Sequence, residues 1–353
     1  MTRKINFILL LVMVFTLFGQ GQIQAKRVEG YRFRNSLITP YLIRRILPDK
    51  NMLFAANFQV AWNKFADEIS RQPIALKGNP IMMQMLNRRL TGAQDLSEDC
   101  YLAIAGIQED DISDRATQAL SDKFDETPEI DLKLKNPRDI LLYTFIVKDI
   151  NFAEEFERLE KPIMFNQSTP VRAFGIKEFV LDESHIRVAE QVEVIYYNND
   201  NDFIIRLRSR AENDEIFLAK IPPLKTLAAT ASYVLTQANI NRPQGLKEKD
   251  TLQIPIIELD IVDWFLDLEG RCLESRGMED FCIAKAIQSI KFRLAQNAHP
   301  YELLPSVGEE RTITRPREFI FDKPFLLLIR QRGAGYPYFV LWVQNTELLT
   351  EAR

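Results

Sequence analysis

The sequence contains few of the residues that catalytic centres commonly use. Its 353 residues include only two histidines, His185 and His299, and three cysteines. Neither histidine lies in an HExxH pattern or beside a CxxC pair, so zinc sites and histidine-dependent nucleophilic catalysis have little material. The GxSxG, P-loop and GxGxxG patterns are also missing. We therefore predict that the protein is not an enzyme and uses no cofactor or metal.

The sequence also lacks the marks of a multi-domain or nucleic-acid-binding chain. It has no Gly/Ser-rich or Pro-rich linker and no internal repeat, which favours one domain over residues 26–353. Acidic residues outnumber basic ones, 49 to 45, so nothing in the overall charge invites nucleic acid. The composition, with 46% hydrophobic residues, predicts a folded globular protein, and we expect it to be a monomer.

The first 25 residues differ from the rest of the chain. Arg3 and Lys4 precede an apolar run at 7–17, and a polar stretch then leads to Ala25. This pattern predicts a secretory signal peptide with cleavage after Ala25. An uncleaved membrane anchor is the alternative, but the run is shorter than the ~18 apolar residues that a spanning helix needs. Removal of the peptide takes away two cations and leaves 43 basic against 49 acidic residues, a net charge of −6.

The three cysteines leave two interpretations open. In an oxidising compartment, Cys272 and Cys282 could close a short loop and leave Cys100 unpaired. Three buried free thiols are at least as well supported, because a chain of this length can build a sufficient core without a disulfide.

Hydrophobic periodicity predicts helices in the first half of the chain. Residues 51–72 carry large apolar side chains at spacings of three and four, which predicts one helix with a central aromatic face. Residues 79–90 predict a second, Met-rich helix that starts at Pro80. The continuous apolar run at 139–149 predicts a strand buried on both faces. The residues that define the aromatic face are Phe54, Phe58, Trp62, Phe65 and Ile69.

Strands dominate the second half, so we predict an α+β fold. Residues 191–210 read as a hairpin with an Asn/Asp turn; a calcium loop is the alternative, but its Gly and distal Glu are missing. Residues 251–259 are extended, and Pro255 implies an edge or a bulge. Further strands are predicted at 282–296, 319–329 and 338–343.

The segment between these last strands is the candidate site. Residues 297–318 show no helical or alternating pattern and contain three prolines and one glycine. The segment exceeds the ~12–15 residues at which an irregular connection is usually functional.

The C-terminal strands resemble the serpin family. The run FIFDKPFLLLI at 319–329 matches the family's C-terminal signature, centred on Asp322, Lys323, Pro324 and Phe325. Segments at 48–62, 141–149, 191–207, 253–259 and 286–298 resemble other serpin segments in the same order. The similarity covers most of residues 45–346.

The resemblance implies a fold, a location and a mechanism. Serpins have a large central β-sheet, additional sheets, and helices that come mostly from the N-terminal half. In serpins, the loop that corresponds to 297–318 is exposed and acts as a substrate for a serine protease. Cleavage lets this loop insert as an extra strand in the sheet, which traps the enzyme. The resemblance and the signal peptide together imply a secreted, extracellular protein.

Several residues depart from the family pattern. At the hinge of the loop the family carries small residues, whereas this chain has Ala298, His299, Pro300 and Tyr301. A proline cannot donate a ladder hydrogen bond in a central strand, so insertion should be slow or blocked. Polar residues of the family beneath the sheet are replaced by apolar or bulkier groups, which predicts loss of that hydrogen-bond network. These positions are Ala55, Ala56, Phe58, Tyr143 and Gln288.

Two functions follow from these observations. The first is a non-inhibitory module that binds or carries a protein or a small-molecule ligand. The alternative is a suicide-substrate inhibitor of a trypsin-like protease, in which Arg311 precedes the scissile bond. The candidate reactive-loop residues are Glu310, Arg311, Thr312, Ile313 and Thr314.

Two further features of the sequence leave alternatives open. The arginines at 311, 315 and 317 predict an exposed basic segment, although a merely solvated linker explains them equally well. Asn166 begins an Asn-Gln-Ser triplet and is a possible glycosylation site.

Overall fold

The structure, a computed structural model, describes residues 26–29, 33–296 and 316–352. The predicted signal peptide lies outside these residues. The strands are β1 Lys26–Glu29, β2 Ser36–Thr39, β3 Asn51–Ala55, β4 Tyr101–Ile107, β5 Asp139–Ile150, β6 Glu157–Arg158, β7 Ile163–Phe165, β8 Thr169–Val171, β9 Ala173–Ile176, β10 Val192–Asn199, β11 Asp202–Leu207, β12 Asp214–Lys220, β13 Thr251–Pro255, β14 Ile257–Trp264, β15 Cys282–Leu294, β16 Glu318–Ile320, β17 Phe325–Gln331 and β18 Phe339–Val343. The α-helices are α1 Asn57–Lys64, α2 Ile81–Leu86, α3 Ile112–Phe124, α4 Glu183–Ala189 and α5 Leu227–Ile240, and a π-helical turn, Phe65–Ser70, continues α1.

The described strands form three larger sheets and one hairpin. Five strands, in the order β1-β14-β15-β5-β4, make the sheet that leads into the candidate loop. Seven strands, β10-β11-β12-β17-β18-β3-β2, make a second sheet, and β16-β13-β9-β6 make a third. Strands β7 and β8 form a separate two-stranded hairpin, and Val171 of β8 also forms an isolated bridge with Glu351. The predicted α+β class is confirmed.

The predicted helix over 51–72 is wrong at its start. Residues 51–55 form β3, which pairs with β18 on one side and with β2 on the other. All five of these side chains are buried, and such a run is equally compatible with a central strand. The helix begins at Asn57, and its aromatic face is central as expected, because Phe58, Trp62 and Phe65 are fully buried. The second helix is shorter than predicted and ends at Leu86.

Two predicted strands are each divided between two sheets. Residues 251–259 form β13 and β14, and the break falls directly after Pro255. Proline lacks the N–H that a continuous ladder needs, which explains why the chain changes sheets there. Residues 319–329 form the edge strand β16 and the buried strand β17 on either side of a turn at 322–324.

The five-stranded sheet is covered on both faces. On its inner face α1 packs against β5 and β15 through a cluster that includes Phe58, Leu142 and Ala286. On its outer face α3 packs against β4 and β5, in a cluster that includes Tyr143 and Ile287. Strand β5 is therefore covered by a helix on each face, as expected for a strand buried on both sides.

The structure distinguishes the two interpretations of the cysteines. Cys272 and Cys282 form a disulfide across an isolated antiparallel bridge. Cys100 is a free, buried thiol, and burial raises its pKa to about 11. The disulfide closes a short loop at the beginning of β15.

Candidate functional site

The candidate loop is attached to the fold at two places. Its N-terminal end continues from β15, and its C-terminal end returns at Arg317, immediately before β16. The hinge residues at 298–301, the reactive-loop candidates at 310–314 and His299 itself all lie outside the described residues. The geometry of the site is therefore that of its two attachment points.

The N-terminal attachment point is a continuous seam between two parallel strands. Strand β15 pairs with β5 from Cys282 opposite Asp139 to Leu294 opposite Ile150, with one register shift after Ile283. We call this pairing the β5–β15 seam. A strand that turned back after β15 and lay between β15 and β5 would run antiparallel to both of them.

The outer face of the β5–β15 seam is held by a buried tyrosine. Tyr143 of β5 is hydrogen-bonded to the Ser289 side chain of β15, and burial raises the tyrosine pKa to about 12. Ile112, Ala116 and Leu120 of α3 cover this position. The seam must lose this contact if the two strands separate.

A polar network is present on the inner face of the seam, although the sequence predicts that it is lost. Gln288 donates from Nε2 to the Ala55 carbonyl oxygen over 3.0 Å, and also to Oδ1 of Asn57. Gln288 and Asn57 are both fully buried. Gln288 Oε1 and Asn57 Nδ2 have no hydrogen-bond partner within the described part of the chain. The expectation is wrong because Asn57, one residue after the Ala-Ala pair, supplies a polar side chain beneath the sheet.

A set of ion pairs crosses the outer side of the seam. Arg293 of β15 lies 3.4 Å from Asp149 of β5 and 3.2 Å from Glu258 of β14, so one guanidinium links three strands. Lys291 of β15 pairs with Glu126, just beyond α3, over 2.6 Å. Partly exposed pairs of this kind contribute little individually, about 0–1 kcal/mol each.

The C-terminal attachment point is a buried ion pair. Arg317 is 8% exposed, so the predicted exposed basic segment is wrong at this residue. Its guanidinium lies 2.6 Å from Asp250 Oδ2, and its backbone N–H donates to Asp250 Oδ1 over 2.9 Å. The guanidinium carbon also lies 5.7 Å from the Tyr197 ring centroid and 5.1 Å from that of Phe319. The chain that leaves the loop is therefore fixed before β16 begins.

The serpin-like signature and the predicted hairpin turn together hold this end of the fold. Asp322 accepts a hydrogen bond from Lys220 over 2.6 Å, and burial lowers the Lys220 pKa. Lys220 also donates to the Asp200 carbonyl oxygen in the turn between β10 and β11. The Asp200 carboxylate accepts from the backbone N–H of Glu318 over 3.2 Å. The 191–210 hairpin is confirmed, and its turn contacts β16.

The rest of the signature is also structural. Phe325 is fully buried, with its ring centroid 5.2 Å from that of Phe321. Lys323 and Pro324 are half-buried in the turn that joins β16 to β17. The four signature residues therefore connect the third sheet to the second.

Asn166 lies where an acceptor asparagine is expected. It is exposed at the turn between β7 and β8, although its side-chain amide donates to the Gln344 carbonyl oxygen over 3.1 Å. Glycosylation at this residue stays a prediction.

Among the described residues, no group of three His, Cys, Asp or Glu side chains is placed to hold a metal ion. No helix in the described ranges is long and apolar enough to cross a membrane.

Comparison with solved structures identifies the fold. A tumour-suppressing serpin aligns with a TM-score of 0.53 at 12% identity, over 84% of this chain and 93% of that chain. Maspin aligns with a TM-score of 0.51 at 13% identity, over 83% and 91%. Native protease nexin-1 with heparin aligns with a TM-score of 0.51 at 12% identity, over 84% and 92%. No protein-family model and no curated protein matches the sequence.

These alignments confirm the predicted architecture: the chain has the serpin fold. At 12–13% identity, the property shared with these proteins is the fold. The β5–β15 seam and the residues around it are therefore described from this chain alone.

Proposed function

We propose that the protein is a secreted, extracellular serpin-fold module that binds or carries a partner and does not insert its loop. The observation that carries this proposal is the position of Pro300, six residues after the end of β15, where an inserting strand would begin to enter the β5–β15 seam. The partner class is a protein, a serine protease included, or a small-molecule ligand.

Two prolines in the loop would leave hydrogen bonds to β15 and to β5 unformed if the loop were inserted between these strands. In a β-strand, successive residues direct their N–H groups to opposite sides. Pro300 and Pro305 are five residues apart, so in a regular inserted strand one would lack its donor toward β15 and the other toward β5. Each buried carbonyl left without its donor costs about 1–3 kcal/mol.

The charges of the loop add a second conflict. Side chains alternate between the two faces of a sheet, and Glu302 and Glu309 are seven residues apart, so one of them would face the inner core in either register. An unpaired carboxylate there would be strongly unfavourable unless it took up a proton. The inner-face cluster around Phe58 and Leu142 is apolar, and the nearby polar side chains of Gln288 and Asn57 carry no charge that could pair with the carboxylate.

The alternative function is protease inhibition by a suicide-substrate mechanism. It is supported by the length of the loop, which the resemblance puts within about one residue of the serpin spacing from Gln296 to Phe325. Arg311 suits a trypsin-like enzyme, whose specificity pocket offers a carboxylate. The net charge of −6 does not favour heparin, the polyanion found with protease nexin-1.

An incubation with trypsin-like proteases tests the proposal. The mature protein is mixed with each protease and the products are separated on a denaturing gel. We expect simple cleavage within 297–315 and no band at the summed mass of protein and protease. A covalent complex would overturn the proposal and establish the inhibitor. A matched variant with His299→Ala, Pro300→Ala and Tyr301→Ala reports whether the hinge residues alone prevent trapping.

A further inference from the structure

A row of buried polar side chains crosses the inner face of the five-stranded sheet. Asp263 of β14 lies opposite Gln288 of β15, and Gln288 lies opposite Thr144 of β5. Residues opposite one another in register share a face of the sheet. Gln288 contacts Ala55 and Asn57 beneath the sheet, so Asp263 and Thr144 face the same way. All three residues are buried, Asp263 at 9% exposure.

The hydrogen bonds of this row are incomplete. Gln288 Oε1 is a buried acceptor without a partner among the described residues. Its neighbour on β14 is a carboxyl group that can donate a hydrogen bond only when it is protonated. Burial raises the Asp263 pKa to about 7, and a hydrogen bond from the Trp264 backbone lowers it by a smaller amount. A neutral carboxyl group beside an unpaired amide oxygen would complete the row.

We propose that Asp263 is a proton-sensitive latch on the β5–β15 seam, which donates a hydrogen bond to Gln288 Oε1 as a neutral acid and loses it as a carboxylate. In the neutral form, the bond fixes the orientation in which Gln288 Nε2 donates to Ala55 and Asn57, and β15 is held against α1. In the charged form, the Asp263 carboxylate and Gln288 Oε1 are both acceptors. The hydrogen bond between them is then lost, and β15 is held less firmly against α1. The proposal does not depend on whether the loop inserts.

Among the described residues around Asp263, few other groups could produce the same response. Within these residues, β1 pairs with β14 as far as Glu29, which lies opposite Val262. The residues following β14 contribute Glu269, which accepts a hydrogen bond from the Ala286 N–H over 2.9 Å and lies near Lys285. From α1 the neighbouring side chains are Asn57 and Phe58, which carry no charge.

Hydrogen exchange tests the latch on the full mature protein. Exchange at residues 287–290 is measured at pH 6 and pH 8 and corrected for the intrinsic effect of pH. For a group with a pKa near 7, the stabilisation that its bound proton gives falls by a factor of about ten between pH 6 and pH 8. We therefore expect protection to fall about tenfold. In Asp263→Asn, whose amide donates at both pH values, protection should stay constant. An equal fall in both proteins would overturn the proposal.

A second variant separates a latch from an isolated buried carboxyl group. Gln288→Met removes the acceptor and keeps the length of the side chain. The Asp263 titration is followed by carboxyl carbon NMR, assigned by its absence from Asp263→Asn. We expect the midpoint to fall in Gln288→Met because the neutral acid loses its acceptor. An unchanged midpoint would mean that Asp263 titrates independently of Gln288 and would also overturn the proposal.

Discussion

Arg317 and Asp250 form a buried ion pair that joins the N-terminal ends of the parallel strands β13 and β16. The pair lies one residue before each strand, and both Arg317 Nε and Nη2 donate to the same carboxylate oxygen, over 3.0 and 2.6 Å. Asp250 is 1% exposed and Arg317 8%. The pair therefore determines where the candidate loop ends and the rigid fold resumes.

Removal of the arginine should destabilise the protein strongly. Arg317→Met leaves the Asp250 carboxylate buried and unpaired, which costs about 3–5 kcal/mol in comparable pairs. The measurement is the free energy of unfolding from urea denaturation. Arg332→Met, at an exposed position, is the matched control and should lie within about 0.5 kcal/mol of the wild type. An Arg317→Met variant as stable as this control would contradict the assignment.

The same ion pair should protect one arginine of the loop region from trypsin. A protease must draw the residue before the scissile bond into its specificity pocket, and the Arg317 side chain is held by Asp250. We expect limited proteolysis to cut after Arg311 and to leave the bond between Arg317 and Glu318 intact. Mass spectrometry of the fragments measures both events. Cleavage after both residues at similar rates would show that this end of the loop is not fixed.

The sequence was sufficient to predict the fold class and most of the strands. The buried runs at 139–149 and 282–296 and the 191–210 hairpin depend on local periodicity and turn residues, and each was located within a few residues. The strand at 51–55 was missed because a short, wholly buried run carries no period that separates helix from strand. Pro255 was the one sign in the sequence that the predicted strand at 251–259 would be interrupted.

The polar contacts of the site were not predictable in the same way. From the sequence, Arg317 was interpreted as one of three exposed cations of the loop. Its partner Asp250 is 67 positions away, and no local pattern indicates that the two residues pair. Asn57, Gln288 and Asp263 come from three distant segments, and only the register of the sheet brings them together. Sequence patterns report burial and period, whereas pairings of this kind depend on the tertiary fold.

The disulfide should contribute measurably to stability. It closes a loop with a sequence separation of 10, for which the loss of chain entropy in the unfolded state corresponds to about 2–3 kcal/mol. We expect the double variant Cys272→Ala and Cys282→Ala to lose this amount in urea denaturation. Reduction of the wild-type protein by a dithiol should give the same loss. Equal stability of oxidised and reduced protein would argue against the bond.

The remaining cysteine should be unreactive in the folded protein. Cys100 is 6% exposed and its pKa is raised to about 11, so very little thiolate forms at pH 8. We expect iodoacetamide to leave Cys100 unmodified in native protein and to alkylate it fully after denaturation. Mass spectrometry distinguishes the two cases. Rapid alkylation without unfolding would mean that the thiol is accessible.

The buried carboxyl group of Asp263 should make the stability fall as pH rises. Its folded pKa, about 7, lies above the ordinary value of 3.8, so between these values the folded state binds a proton that the unfolded state has released. Its contribution is therefore fully present below pH 3.8 and lost as pH rises through 7. We expect Asp263→Asn to gain about 1.4 kcal/mol relative to wild type between pH 6 and pH 8. A constant difference across this range would contradict the raised pKa.

Thermal unfolding before and after a single cut in the loop tests the central claim most directly. The mature protein is nicked once within 297–315, and its melting temperature is compared with that of the intact protein under identical conditions. If Pro300 and the closed β5–β15 seam prevent insertion, the melting temperature should be unchanged or slightly lower. A large rise would mean that the loop has entered the sheet as an additional strand, and the account of a non-inserting binding module would be wrong.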